Sequence, residues 1–178
     1  DWTVVASACF AAVLISRTAW EQVGPLDEAF EMYFEDVDWS YRARLLGLHI
    51  ELAPRAVVYH ALGSRNPGQT SSALSPRKQR NITYGQLRFF ARIAGHNYLR
   101  YLALNLVYEL SGLFRSLLHL DGAGISARLQ GWKDFLRELP ALRRSHQQLQ
   151  RNRRVSDNDL FNLQHNYPQP LVWRGLPE

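Results

Sequence analysis

The sequence lacks most of the features that make a chain easy to classify. It has one cysteine, Cys9, so no internal disulfide can form and a disulfide scaffold is excluded. As a small residue in an apolar stretch, Cys9 is expected in the core. No internal repeat is visible, and no charge-free apolar run is long enough to span a bilayer. The most apolar segment, Tyr98 to Leu120, carries Arg100, Asn105, Glu109 and Arg115. No nucleic-acid-binding motif appears, and the arginines are scattered among amphipathic segments, which argues against a nucleic-acid partner. The chain does not open on Met or on a charged leader. It starts inside the apolar run Trp2 to Ile15, so the expectation is a portion of a longer protein.

What is present fits a folded domain. The 178 residues, 46% apolar and 12% aromatic, suffice for a real core. The net charge of +5 conceals an asymmetry. Residues 1–76 carry 5 Lys/Arg and 9 Asp/Glu, whereas residues 77–154 carry 15 and 4. An acidic first part and a basic second part suggest two tasks: metal or hydroxyl chemistry in one, an anionic surface for the other.

The first part is organised around Met32-Tyr33-Phe34-Glu35-Asp36-Val37-Asp38-Trp39-Ser40-Tyr41-Arg42. Three bulky apolar residues run into three carboxylates. Val37, Tyr41 and Leu45 then share one helical face, and Gly47 is a stop. The acids sit at a helix N-terminus, where the macrodipole favours them, and Asp38 can pair with Arg42 at i, i+4. Ordinary first-turn acids are one reading. General-base or metal chemistry at the edge of a core is the other.

Around this helix (36–46), Thr3–Ala6 and Phe10–Ile15 read as buried strands, with the small residues Ser7-Ala8-Cys9 suited to close approach. Arg17–Val23 reads as a short helix capped by Ser16 and stopped at Gly24-Pro25. Asp27 reads as a turn residue. His49–Leu52 and Ala56–Tyr59 read as strands, with His60 at the end of the second, either structural or a site residue. Gly63–Pro76 reads as a loop able to fold over an anionic ligand. Helices are expected over Arg77–Ala94, Tyr98–Leu120 and Ser126–Leu139, the last stopped at Pro140. A solvated helix over Ala141–Arg154 and a last short one after Ser156-Asp157-Asn158-Asp159 complete the set. The tail from Tyr167 reads as irregular. The tyrosines and arginines of Tyr98–Leu120 suit either a membrane interface or a core helix.

Four stretches together carry a resemblance: Ala8-Cys9-Phe10 to Ile15-Ser16-Arg17, Val23 to Phe30, Met32 to Arg42, and Pro54 to His60. In this order they resemble the C-terminal half of a family 2 glycosyltransferase, nearest to the rhamnosyltransferase-like bacterial branch that builds surface polysaccharides. The likeness covers about residues 1–95. It implies an α/β fold: residues 1–76 as the C-terminal, acceptor-side half of a GT-A (Rossmann-like) domain, 77–165 as a basic amphipathic helical extension, and 166–178 as an irregular tail. It implies inverting sugar transfer from a nucleotide sugar (dTDP- or UDP-linked) to a glycan or lipid-linked acceptor. Asp36 would be the general base, with Glu35 holding the site and Asp38 orienting the acceptor. Trp39 would line the acceptor side, and His60 would hold a divalent metal, Mn2+ or Mg2+. The protein would be cytoplasmic and peripheral at the inner face of the plasma membrane.

Ser7 stands where that family often has Gly. The family's metal-binding Asp-x-Asp has no clear counterpart: Asp36-Val37-Asp38 already belongs to the acidic motif, and Asp157-Asn158-Asp159 follows no strand. The chemistry can be stated without the family. Displacement at an anomeric carbon needs a base, and a positioned carboxylate gives about 10²–10⁴-fold. The leaving diphosphate needs positive charge, for which Arg65 and Arg77 are the loop candidates. Two rivals use the same residues differently. A metal-dependent phosphoryl hydrolase or transferase would use Glu35, Asp36, Asp38 and His60 as ligands. A non-catalytic module would dock residues 77–154 on anionic lipid.

Overall fold

The computed structural model describes residues 3–59 and 75–166. Six helices and two very short strands make up this part of the chain. The strands β1 (Thr3–Val4) and β2 (Glu51–Leu52) pair antiparallel, with Thr3 opposite Leu52 and Val4 opposite Glu51. Helix α1 covers Arg17–Val23 and α2 Glu35–Leu45. Helices α3 (Pro76–Ile93), α4 (Tyr98–Leu118), α5 (Gly122–Arg151) and α6 (Asp157–Asn166) follow.

The expected α/β, GT-A-like sheet is therefore not what forms: the fold is mostly helical. Phe10–Ile15 and Ala56–Tyr59 form no strand. Among the described residues only β1 and β2 pair, and a lone two-stranded ribbon holds little by itself. Without neighbours to complete a ladder, most apolar side chains of these runs stay in solvent. Val13, Leu14, Val57, Val58 and Tyr59 are all exposed. Cys9 is exposed as well, contrary to the core position expected for it. The small run around it does make a close approach, since the Ala8 N–H donates to Ser40 Oγ at 3.1 Å.

Local signals set α1 well. Ser16 Oγ accepts from the Ala19 N–H at 3.1 Å, and Gly24, at φ 81°, ends the helix. Ser75 caps α3 in the same way, with Pro76 in the first turn. Asp121 caps α5 by accepting from the Gly124 N–H at 2.9 Å.

Helices α3, α4 and α5 form an up-down-up bundle. Along α3, Arg80, Tyr84 and Arg92 meet Asp134, Glu138 and Ser145 of α5 in the same order, so these two helices run parallel. Helix α4 runs back alongside them: Gln86 meets Asn105, while Thr83 meets Glu109. Gly131 allows the close approach, because a Cβ there would lie 2.8 Å from the Arg80 carbonyl oxygen.

Helix α5 runs unbroken through Pro140, where a stop was expected. Proline removes the bond to the Leu136 carbonyl, but both residues face solvent, where water can serve that oxygen. Phe135 and Leu142, on either side, bury against Leu87 and Ala91 of α3, and this packing holds the helix together.

One core joins the two parts divided at residue 76. Tyr41 and Leu45 of α2 pack with Phe89 and Ile93 of α3 and with Leu160 and Phe161 of α6. Asp157 fixes α6 in place: fully buried, it accepts from the Gly95 and Asn97 N–H groups at 3.0 and 2.8 Å and pairs with Arg153.

Replacing Pro140 with Ala is expected to stabilise the protein by up to about 3 kcal/mol, the helix-interior penalty of proline. Thermal unfolding followed by circular dichroism measures it. An unchanged or lower midpoint would mean that the helix does not run through this position.

Candidate functional site

The acidic motif begins with two residues in the left-handed region, Tyr33 at φ 69° and Phe34 at φ 71°. Bulky residues avoid this region, and each costs on the order of 1–3 kcal/mol unless its surroundings enforce it. Here packing enforces it. The Phe34 ring lies against the core, 6.1 Å from the Phe89 ring, and rests on Gly85 of α3. A Cβ on Gly85 would come within 2.8 Å of that ring.

The strained pair turns the chain abruptly into α2. From Asp38 to Leu45 every residue of α2 is buried, so only its first turn reaches the surface. Glu35 and Asp36 occupy that turn, both half-buried. Glu35 Oε2 is shielded from solvent without a hydrogen-bond partner. Asp36 Oδ1 accepts from the Val37 N–H at 2.8 Å. Two carboxylates thus stand at the positive end of a rigidly held helix.

Asp38 goes the other way. It has no exposed surface and lies in an arginine network. Its Oδ2 accepts from Arg42 Nε at 2.7 Å and from Arg92 Nη1 at 3.1 Å. The same Arg92 nitrogen donates to Asp27 Oδ2 at 2.6 Å, which also receives Arg88 Nη2 at 2.7 Å. Arg88 reaches on to Glu138 of α5, and Arg42 clamps the Val23 and Pro25 carbonyls at 2.7 and 2.8 Å. Burial alone would raise the Asp27 carboxyl. The Arg88 and Ala29 hydrogen bonds, with the Arg88 and Arg92 charges, outweigh it and hold the pKa below the ordinary value. Burial lowers Arg92, only partly offset by the two aspartates.

This geometry changes several expected roles. Asp38 cannot orient an acceptor from inside the network, and it serves to hold α2 in place. Trp39 does not line an open surface. It is 5% exposed, lies between Phe10 and Trp20, and donates its indole N–H to the Gly24 carbonyl at 2.8 Å. Arg77 is largely exposed, 3.6 Å from Glu31. His60 and Arg65, assigned to metal and diphosphate, lie outside the described residues. Among the described residues no group of three or more His, Cys, Asp or Glu side chains could hold a metal ion. Glu35 and Asp36, with Asp38 drawn away, do not form such a site by themselves.

A cavity of about 180 Å³ opens between Ala29–Met32, which leads into the strained pair, and helices α3 and α5. Its lining includes Phe30, Met32, Arg80, Asn81, Tyr84 and Glu138. The amide nitrogen of Asn81 is buried without a hydrogen-bond partner. Tyr84 donates to Glu138 at 2.7 Å, and burial, reinforced by that bond, raises its pKa.

Arg88, Arg92 and Gly85 escaped the reading of the sequence, which followed only the apolar positions of α3. The available signal was two arginines one turn apart, at i and i+4, on a helix following a segment rich in acids. No family model, curated protein or solved structure matches the chain.

Two outcomes follow from the network. Asp38→Asn leaves the buried Arg42 without a carboxylate partner and Arg92 with Asp27 alone, and is expected to cost about 3–5 kcal/mol. Asp36→Asn, at the surface, should cost no more than about 1 kcal/mol. Urea unfolding of both variants compares them, and equal losses would contradict the division of roles. Asp157, like Asp27, has a lowered folded pKa: burial opposes this, but the Asn97 and Gly95 N–H groups and Arg153 prevail. Their contribution is full above the unfolded value of about 3.9 and is lost as pH falls through the lower folded values. The urea midpoint should therefore drop below about pH 4, and Asp157→Asn should flatten that drop. A midpoint constant down to pH 2 would count against it.

Proposed function

We propose that this chain is the base-bearing, acceptor-side portion of an inverting glycosyltransferase acting on a nucleotide-sugar donor. The observation that carries the reading is the forced exit of Glu35 and Asp36 at the one open turn of a helix buried everywhere else. A backbone held in a costly conformation immediately before two carboxylates is the kind of strain that functional sites maintain.

In this reading Asp36 accepts the proton of an acceptor hydroxyl as its oxygen attacks the anomeric carbon. The bond from that carbon to the nucleoside diphosphate breaks, and configuration inverts. Glu35 holds the neighbouring negative potential and positions the hydroxyl. Asp38 acts only through α2, which it locks with Arg42 and Arg92. The cavity beside Ala29–Met32 is lined by Arg80, Asn81, Asp134 and Glu138, residue types suited to sugar hydroxyls. The acceptor class is a glycan or a lipid-linked glycan at the cytoplasmic face of a membrane. The phosphoryl-transfer rival needs Asp38 as a ligand, and Asp38 is occupied by two arginines.

The test is nucleoside diphosphate release by the intact protein from a panel of nucleotide sugars, with and without manganese, beside its Asp36→Asn variant. The expected result is release from one donor class, reduced about 10²–10⁴-fold in the variant. Near-normal turnover by Asp36→Asn would remove the base assignment. Release of inorganic phosphate from simple esters would favour the hydrolase.

A further inference from the structure

Helix α4 is inside out. Its buried stripe is Asn105, Glu109 and Gly112, spaced four and three residues apart. Its solvent side carries Leu99, Leu106, Val107, Leu110, Phe114 and Leu117, all exposed. A helix packed on a water-soluble bundle shows the reverse pattern. The inward polar groups are engaged with the bundle: Glu109 Oε2 accepts from Arg128 Nη1 at 3.0 Å and from the Thr83 hydroxyl at 3.2 Å. Asn105 accepts from Gln86 at 2.6 Å. The helix is therefore held in this orientation by its polar side and cannot rotate its leucines inward without breaking a buried ion pair.

The apolar face continues past the helix end. Leu118 is exposed, and Leu120 stands 88% exposed with φ 51° at the turn into α5. Glycine or asparagine is the usual residue for such a conformation, so the turn accepts backbone strain while presenting a leucine outward.

Charge selects the occupant. Arg100 and Arg115, both exposed, stand near the two ends of α4, with His119 just beyond. The one acid on α4, Glu109, is 1% exposed and paired inward. The outer face is thus apolar along its length and cationic at its ends. A second copy of the chain fits it poorly. Paired parallel, the arginines would meet their own counterparts, and paired antiparallel, Arg100 would meet Arg115, with no outward acid on α4 to separate them. No helix among the described residues is long and apolar enough to cross a membrane, so α4 would lie along the surface. At about 1.5 Å per residue, its 21 residues reach roughly 31 Å.

We infer that the outer face of α4, with Leu120, docks on an anionic phospholipid bilayer surface, its leucines in the acyl boundary and Arg100 and Arg115 among the headgroup phosphates. This rests on α4 alone and not on the transferase reading. It is independent of Asp36.

The experiment is co-sedimentation of the intact protein with vesicles of phosphatidylcholine alone and of phosphatidylcholine mixed with phosphatidylglycerol, without nucleotide sugar. Binding is expected to favour the anionic vesicles and to weaken as salt rises. The double variant Leu110→Ser/Phe114→Ser, at exposed positions, should lose at least tenfold in affinity while keeping its thermal midpoint. Arg100→Gln/Arg115→Gln should bind both vesicle types alike and lose the salt dependence. Asp36→Asn should bind as the unaltered protein does, which separates this result from any failure of the transferase assay. Vesicle binding unaffected by the leucine–phenylalanine variant would overturn the inference. So would a lipid-free dimer that the same variant dissociates.

Discussion

The structure depends on a mostly buried arginine, Arg92, held between two aspartates. Asp27 comes from the turn after α1, Asp38 from α2, and Arg92 from the far end of α3. Breaking such an arrangement at one member leaves charges buried without partners. The three groups therefore fix the relative position of elements up to 65 residues apart in sequence. Arg42 extends the network to the carbonyls that close α1, and Arg88 extends it to α5. The contrast between an acidic first part and a basic second part has a structural use here, because the two signs meet across the interface between them.

That fixed frame leaves only the first turn of α2 open, where the proposed base stands. A carboxylate acts well as a base when its position is set before the reactants arrive. The residues that set it lie within three positions of Asp36, on either side of it. Phe34 locks the entry on Gly85, Trp39 locks the middle to Gly24, and Asp38 locks the interior to arginine. Glu35 and Asp36 are left half-buried at the helix entry, on a backbone with little freedom. The same motif thus divides its three acids between two duties, two at the surface and one in the frame.

Helix α4 inverts the usual arrangement by a similar device. Its acid is spent inward, on Arg128, and its apolar surface is left outward. Composition averages these two faces and shows only a moderately apolar helix with a few polar residues. Which face meets the bundle depends on what α3 and α5 present to it: Thr83, Gln86 and Arg128, all polar.

Local signals decided much of this chain. Ser16 with Gly24, Ser75 with Pro76, and the 3.6-residue periodicity placed helices that depend on neighbouring residues only. The i, i+4 pairing of Asp38 with Arg42 was equally legible. The strands at Phe10–Ile15 and Ala56–Tyr59 were not, because an apolar run becomes a strand only when another strand completes its hydrogen bonds. Pro140 reads as a stop because its cost is local, whereas the packing of Phe135 and Leu142 that overrides it comes from α3. The sequence placed three acids at one helix end. Only tertiary structure decided that Asp38 would turn inward, since the arginine that draws it in, Arg92, stands 54 residues away.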